Sequence, residues 1–318
     1  MKSASKINYE IRPCKFAERR MLVSSLARII GATKKQYQYI GFGALSFVDF
    51  KLFHRELHIN KMYSIEGGEY SSQRLELNKP FSCIEILKGT STSELNKIDL
   101  TIPSIIWLDY DGTLEKSMFE DFDIVLSKVP AGSVFIVSCN RELKKNDTEA
   151  AIKYPFKKSE FIEEFGNLVP YELEEDCCKE PNTSATLKLM FTNYCKKVLT
   201  DRMKESDEKL SFDVLYNIRY QENHGAKMYT FGGILLDESI SREDLNIADY
   251  KFIAADDPAP FIIDAPILTD RETNYLNQIL GFEDKEKQVI KDKIVSEKEL
   301  SDYKQLYKYL PSFHDIRL

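Results

Sequence analysis

Two aspartates one residue apart, Asp109 and Asp111, end the largely apolar run IPSIIWL. A carboxylate at the end of a buried segment can take a proton from a hydroxyl, attack an electrophile or help hold a metal ion. Three further groups stand at comparable junctions. Gly41 and Gly43 flank Phe42 after the apolar run YQYI, Glu66 ends KMYSIE, and Thr90 and Ser91 follow FSCIEILKG. Paired glycines let a backbone approach a ligand closely. An acid about 20–25 residues beyond such a turn suits a nucleotide ribose. Thr90 to Ser93 could line an adenine pocket or simply cap a helix, with Ser91 or Thr92 as the cap and Glu94 in the first turn.

These residues need elements to hold them. Short apolar runs ending at Phe42, Glu66, Gly89, Asp109 and Asn140 alternate with segments of helical spacing, five strands with four helices. Such a rhythm calls for right-handed crossovers and a parallel sheet, which gathers Gly41, Glu66, Thr90, Asp109 and Ser138 on one edge. SFDVLYNIRYQ and AKMYTFGGILLD, separated by ENHG, read as a closing antiparallel hairpin. The expected fold is therefore α/β: a Rossmann-like, doubly wound, seven-stranded, mostly parallel sheet with a terminal antiparallel hairpin and helical extensions at both ends. Residues 1–35 form an N-terminal helical extension, 36–238 the core with an insertion at about 141–206, and 239–318 a mainly helical C-terminal extension. In the first extension, Lys15, Glu18, Arg19 and Arg20 read most simply as a solvated face.

Composition narrows the classes. The 318 residues are 43% hydrophobic and 30% charged, as in an ordinary globular chain. No apolar run approaches the roughly 20 residues of a membrane span. The first twenty residues contain no apolar segment of the secretory type, so the expected compartment is cytoplasmic. A net charge of −7 disfavours a general nucleic-acid-coating surface, although local clusters such as Arg12 to Arg20 could make contacts. Six cysteines lack metal-ligand spacing and scaffold density, and HRELH lacks the HExxH order, so no metal site is expected.

The order of five βα steps, the glycine turn, the acids ending the second and fourth strands and the closing hairpin together resemble class I S-adenosylmethionine (SAM)-dependent methyltransferases, over roughly residues 36–238, with O-methyltransferase-like proteins most similar. The resemblance implies SAM as cofactor. Gly41 and Gly43 would lie against its methionine part, Glu66 would bind the ribose, the turn with Thr90 and Ser91 would flank adenine, and Asp109 would face the methyl donor. Asp109 or Asp111 would assist removal of the acceptor's proton. The chain differs from the family's glycine motif at Tyr39, where an acid is usual, and at Leu45, where a third glycine is usual; Asp49 is the acid that could compensate. Without an Asn/Asp-Pro-Pro-aromatic ending to the fourth strand, an oxygen acceptor is favoured over nitrogen. The acceptor is open between small molecule and macromolecule, and the helical extensions offer a surface to a protein partner.

Two alternatives stand beside this. DYDGTL also resembles the nucleophile motif of haloacid dehalogenase-like, Mg²⁺-dependent phosphatases, with Asp109 as nucleophile, Asp111 as acid/base, Ser138 on a later strand and Asp256 and Asp257 as further acids. That motif normally ends the first strand of its sheet, whereas three strands precede it here. The other alternative is a non-catalytic SAM-binding or assembly subunit on the methyltransferase fold.

Overall fold

A computed structural model describes residues 12–147, 152–222, 225–254 and 259–311. Among them, β1 (Gln38–Gly41), β2 (Met62–Glu66), β3 (Ile84–Lys88), β4 (Ser104–Thr113), β5 (Val134–Asn140), β8 (Ser211–Gln221), β9 (Lys227–Leu236) and β10 (Phe261–Ile263) form one sheet. Their spatial order is β10-β8-β9-β5-β4-β1-β2-β3. All neighbours are parallel except β9, which runs antiparallel to β5 and β8. The sheet is Rossmann-like and carries the expected hairpin, but has eight strands rather than seven. The added strand, β10, comes from the stretch expected to be mainly helical. It is only three residues long and lies between prolines, too short for alternation to reveal it.

Parity along the strands divides the core. On β4, Ile105 and Trp107 face one layer while Ile106 and Leu108 face the other; on β5, Val134 and Ile136 separate in the same way from Phe135 and Val137. The first layer holds α1 (Pro13–Thr33) and α2 (Val48–Leu57). The second holds α4 (Ser91–Leu95), α5 (Lys116–Leu126) and α7 (Thr183–Lys204). Both faces are covered, which is why these strands read as unbroken apolar runs rather than as alternation.

The remaining elements are peripheral. α3 (Ser72–Asn78) joins β2 to β3, and β6 (Lys144–Asp147) pairs with β7 (Ile152–Pro155) in a separate two-stranded ladder before α6 (Lys158–Phe165). The region expected as an insertion thus contains this ladder and also α7, the helix that returns the chain to β8. After β10, α8 (Asp270–Ile279), α9 (Glu283–Lys291) and α10 (Glu297–Leu306) pack on a small core of their own that includes Leu276, Val289 and Leu300. Asn223 and His224 of the expected hairpin turn lie outside the described residues.

α5 and α7 are held to the sheet by aromatic packing. The Phe122 ring lies 4.8 Å from Phe135 and 5.2 Å from Phe191, centroid to centroid, and is fully buried. Phe122→Ala should lower unfolding stability by about 3–5 kcal/mol, the range for emptying a buried phenylalanine site, read as a fall in the urea midpoint at unchanged slope.

Candidate functional site

β1 leads outward to β2 and β3 and β4 leads outward to β5, so the order of the sheet reverses between β1 and β4. The crevice beyond their carboxyl ends is where an open α/β sheet accepts ligands. Glu66 and Asp109 stand on either side of β1 there. Glu66 is buried, and its Oε1 accepts the Gly43 N–H (3.0 Å) and the Ser64 hydroxyl (2.6 Å). The Ala44 amide also hydrogen-bonds to it, and burial pushes its pKa up against these donors. Glu66 therefore ties the glycine turn to the end of β2. A carboxylate offers about four acceptor positions, which leaves capacity for a ligand hydroxyl.

Each glycine of the turn permits a close approach. A Cβ on Gly43 would sit 2.5 Å from Ser64 Oγ and 2.6 Å from the Phe47 ring. On Gly41 it would sit 2.5 Å from the Tyr39 hydroxyl, so the space at Gly41 is filled by the chain itself. Burial, with Asp49 and Asp109 close by, pushes the Tyr39 phenol well above its usual range and keeps it neutral. Asp49 accepts a hydrogen bond from Arg19 Nε, so its charge is balanced from α1.

Asp109 shares the parity of Ile105 and Trp107 and stands on the α1 side. Its Oδ2 lies 2.8 Å from Lys15 Nζ, and the same ammonium lies 2.7 Å from Glu18 Oε2 and 4.3 Å from the centroid of the Trp107 ring. Lys15, Glu18 and Arg19 are buried, which corrects their expected role as a solvated face; Arg20, at 42% side-chain exposure, does face solvent. From Glu18 a chain of hydrogen bonds crosses the sheet. Thr230 donates to Glu18; Ser138 lies 2.7 Å from Thr230; Trp107 Nε1 donates to Ser138 at 2.9 Å. A carboxylate that only accepts at one end fixes the direction of each hydroxyl along the chain. Asp109 Oδ1 is buried with no hydrogen-bond partner among the described residues. Native structures rarely tolerate such an atom without a ligand or water in view.

The other expected residues fall in different places. β4 continues past Asp109 with a register shift and carries Asp111 and Gly112 on as exposed strand residues. Asp111 is therefore not brought into the buried network. Thr90, not Ser91 or Thr92, caps α4 by accepting the Ser93 N–H (3.2 Å). Ser91 and Thr92 instead hydrogen-bond to Asp121, which also accepts from the Tyr110 hydroxyl. Phe42 packs edge-on against Tyr110 at 5.2 Å, an aromatic edge beside the crevice that went unread in the sequence. Asp256 and Asp257 lie outside the described residues. Among the described residues, no helix is long and apolar enough to cross a membrane.

Residues 7–318 match the family described as "Putative O-methyltransferase", and the chain belongs to that family. Solved structures of similar fold include Trm1 from Pyrococcus horikoshii in complex with SAM, at 11% identity over 83% of this chain and 72% of that one, TM-score 0.43. Cofactor-bound Rv0187 from MTB matches at 11% identity over 68% and 79%, TM-score 0.36. Spermidine synthase from Thermotoga maritima matches at 11% over 78% and 67%, TM-score 0.38. Likeness at this level carries no argument about chemistry. No curated protein matches the sequence significantly.

The pairing of α1 with β4 is open to measurement. Lys15→Met would leave the Glu18 and Asp109 carboxylates without their cation, and should cost about 3–5 kcal/mol of unfolding stability. Adding Glu18→Gln to that variant should recover part of the loss in urea titrations, because it removes one of the two stranded charges.

Proposed function

We propose that the protein transfers a methyl group from SAM to an oxygen acceptor in the crevice between Glu66 and Asp109. The observation that carries this reading is the orphaned Asp109 Oδ1, set among three carboxylates (buried Glu18 and Asp49 and the partly buried Asp109) and two buried cations (Lys15, Arg19). An excess of one negative charge in a low-dielectric site favours a cationic ligand beside it. The residues therefore suit SAM, which supplies, when bound, an electrophilic methyl group on a sulfonium. Glu66 would hold the ribose hydroxyls with its remaining acceptor capacity, and the Gly41–Gly43 backbone would bound the methionine part. The α4 turn, with Ser91 beside Tyr110 and Asp121, would flank adenine.

The chain's remaining task is to align an acceptor for in-line displacement and to take up its proton. Lys15 holds Asp109 Oδ2, which fixes the carboxylate and leaves Oδ1 to accept the acceptor's O–H. The Trp107–Ser138–Thr230–Glu18 chain locks Lys15 from behind. Asp111, exposed on the continuation of β4, is the other carboxylate that could contact the acceptor.

Calorimetric titration with SAM tests the cofactor. Saturable binding, weakened at least tenfold by Glu66→Ala, is expected; no heat at millimolar SAM would remove the reading. Asp109→Asn should retain SAM binding and fold while losing at least a hundredfold in methyl transfer to a responsive hydroxyl compound, in keeping with the loss of a positioned base. A fully active variant would exclude Asp109 from proton transfer. Mg²⁺-dependent release of phosphate from an aryl phosphate, abolished by the same variant, would instead support the phosphatase chemistry of DYDGTL.

A further inference from the structure

A cleft of about 1510 Å³ opens at the same carboxyl edge of the sheet, on the β8 and β10 side of the crevice. Tyr220 joins the two: it lines the cleft, and its ring centroid lies 5.9 Å from Lys15 Nζ. At the sheet end of the cleft, Arg141 follows β5, Lys227 opens β9 and Arg219 lies near the end of β8. Strand order alone brings them together, since the Arg141 N–H donates to the Lys227 carbonyl (2.7 Å). Glu180 is the carboxylate bonded to this group, while Glu142, paired with Lys144, lies near Lys227. Glu180 accepts from Arg141 and lies 3.2 Å from Lys227.

Within this cluster three cations meet one bonded carboxylate, a local excess of two positive charges in a cleft whose other charged lining residues are Lys298 and the five acids Glu222, Asp264, Asp270, Glu299 and Asp302. The Arg219 side chain makes no hydrogen bond or ion pair with any described residue, and burial together with nearby Arg141 lowers its pKa, with Glu180 opposing. Arg141 is buried, and its Nε finds no hydrogen-bond partner among the described residues. The 22-residue helix α7 also begins at Thr183, whose hydroxyl accepts from Arg141 (3.2 Å), so the positive end of its dipole adds to the cluster. Four of these five acids already hold partners. Asp264 and Asp302 share Lys298, Glu299 closes the cap of α10, and Glu222 accepts the Cys14 and Lys15 amides; Asp270 sits in the first turn of α8.

From these observations we infer that Arg141, Arg219 and Lys227 form a subsite for the phosphate group of a small hydroxyl-bearing acceptor. This inference rests on the methyl-transfer reading only in that the bound phosphate compound is the methyl acceptor. A phosphate monoester carries about 1.5–2 negative charges near neutral pH, which matches the local excess, and a guanidinium recognises it through paired N–H donors. Arg141 lies three residues beyond Ser138, the β5 partner of Asp109, roughly 10 Å along the strand and, by that odd step, turned to the α7 side, so the path from it to Asp109 runs around the carboxyl edge of the sheet. The cleft is lined from both faces, by Arg219 and by Tyr220, so a small molecule whose phosphate is held there would have to pass over the sheet edge to bring its hydroxyl toward Asp109 Oδ1. The cleft exceeds the roughly 300–1,000 Å³ of common small-ligand pockets, so there is room for the body of such a molecule.

The test is titration with inorganic phosphate, followed by ³¹P line broadening in the presence and absence of S-adenosylhomocysteine. Saturable phosphate binding is expected, at least tenfold weaker in Arg219→Gln and several-fold tighter in Glu180→Gln, with S-adenosylhomocysteine affinity equal in all three proteins. Arg219→Gln removes no hydrogen bond to a described residue, so its thermal unfolding should match the parent, and Glu180→Gln gives a reading in the opposite direction. Absence of phosphate binding, or affinities unchanged in both variants, would overturn the subsite. Equal affinity for acetate would overturn its assignment to a dianion, and much tighter binding of a short single-stranded oligonucleotide would overturn the small-molecule assignment. If phosphate binds with the expected variant pattern while S-adenosylhomocysteine does not bind, the anion subsite stands and the methyl-transfer reading alone fails.

Discussion

Lys15 can be buried only because Glu18 is buried with it and the partly buried Asp109 meets it at the sheet edge. An ammonium or a carboxylate taken from water alone is penalised by several kcal/mol, so the three groups must be desolvated together. Glu18 and Lys15 travel on α1, whereas Asp109 is fixed at the end of β4. Docking of the first helix and completion of the sheet edge are thus a single event. Apolar contacts from Ala17, Met21, Leu22, Leu26 and Ile29 supply the bulk of the driving force for that docking. The charge pairing supplies its register, since a helix shifted by one residue would leave Lys15 facing no carboxylate.

The same constraint polarises the edge. On the side of the switch point near β1 and β4, the buried acids outnumber the bases; beyond β5 and β9, Arg141, Arg219 and Lys227 outnumber Glu180. Tyr220 and the Trp107 ring separate these fields with low-dielectric material, in which each charge is felt more strongly than it would be in water. A positively charged donor and a negatively charged acceptor would meet opposite fields on the two halves of one crevice. Their placement would be set by charge before any shape-specific contact is made.

Much of this was legible in the chain. The strands are apolar runs ended by glycine or an acid, and their alternation with helices fixes a parallel order that brings Glu66 and Asp109 to one edge whatever the details of packing. What escaped was the role of α1. Lys15 and Glu18 stand three residues apart and continue at the spacing of Leu22, Ser25 and Ile29, so helical period alone puts them on the buried stripe; reading charge as exposure concealed it. β10 escaped for another reason, because three residues between prolines carry too little period to register. The break between α9 and α10 turns on Lys293, whose positive φ of 56° ends one helix before Ser296 caps the next, and a lysine gives no warning of such a conformation.

The departure at Tyr39 also becomes intelligible from packing. An acid at this position would lie within a layer that already holds Asp49 and Asp109, and a further carboxylate there would need another cation. A neutral phenol avoids that charge, fills the space above Gly41 and packs edge-on between Phe50 and Phe53 at 4.8 and 4.7 Å. Arg19 meanwhile balances Asp49 from α1. The negative charge left to act on a ligand is therefore concentrated at Glu66 and Asp109, one on each side of β1. The glycine turn contributes through its backbone, because the Gly43 and Ala44 amides are spent on orienting Glu66. In this chain the first helix has taken over the electrostatic balance that a turn acid would otherwise set, and the site is incomplete without it.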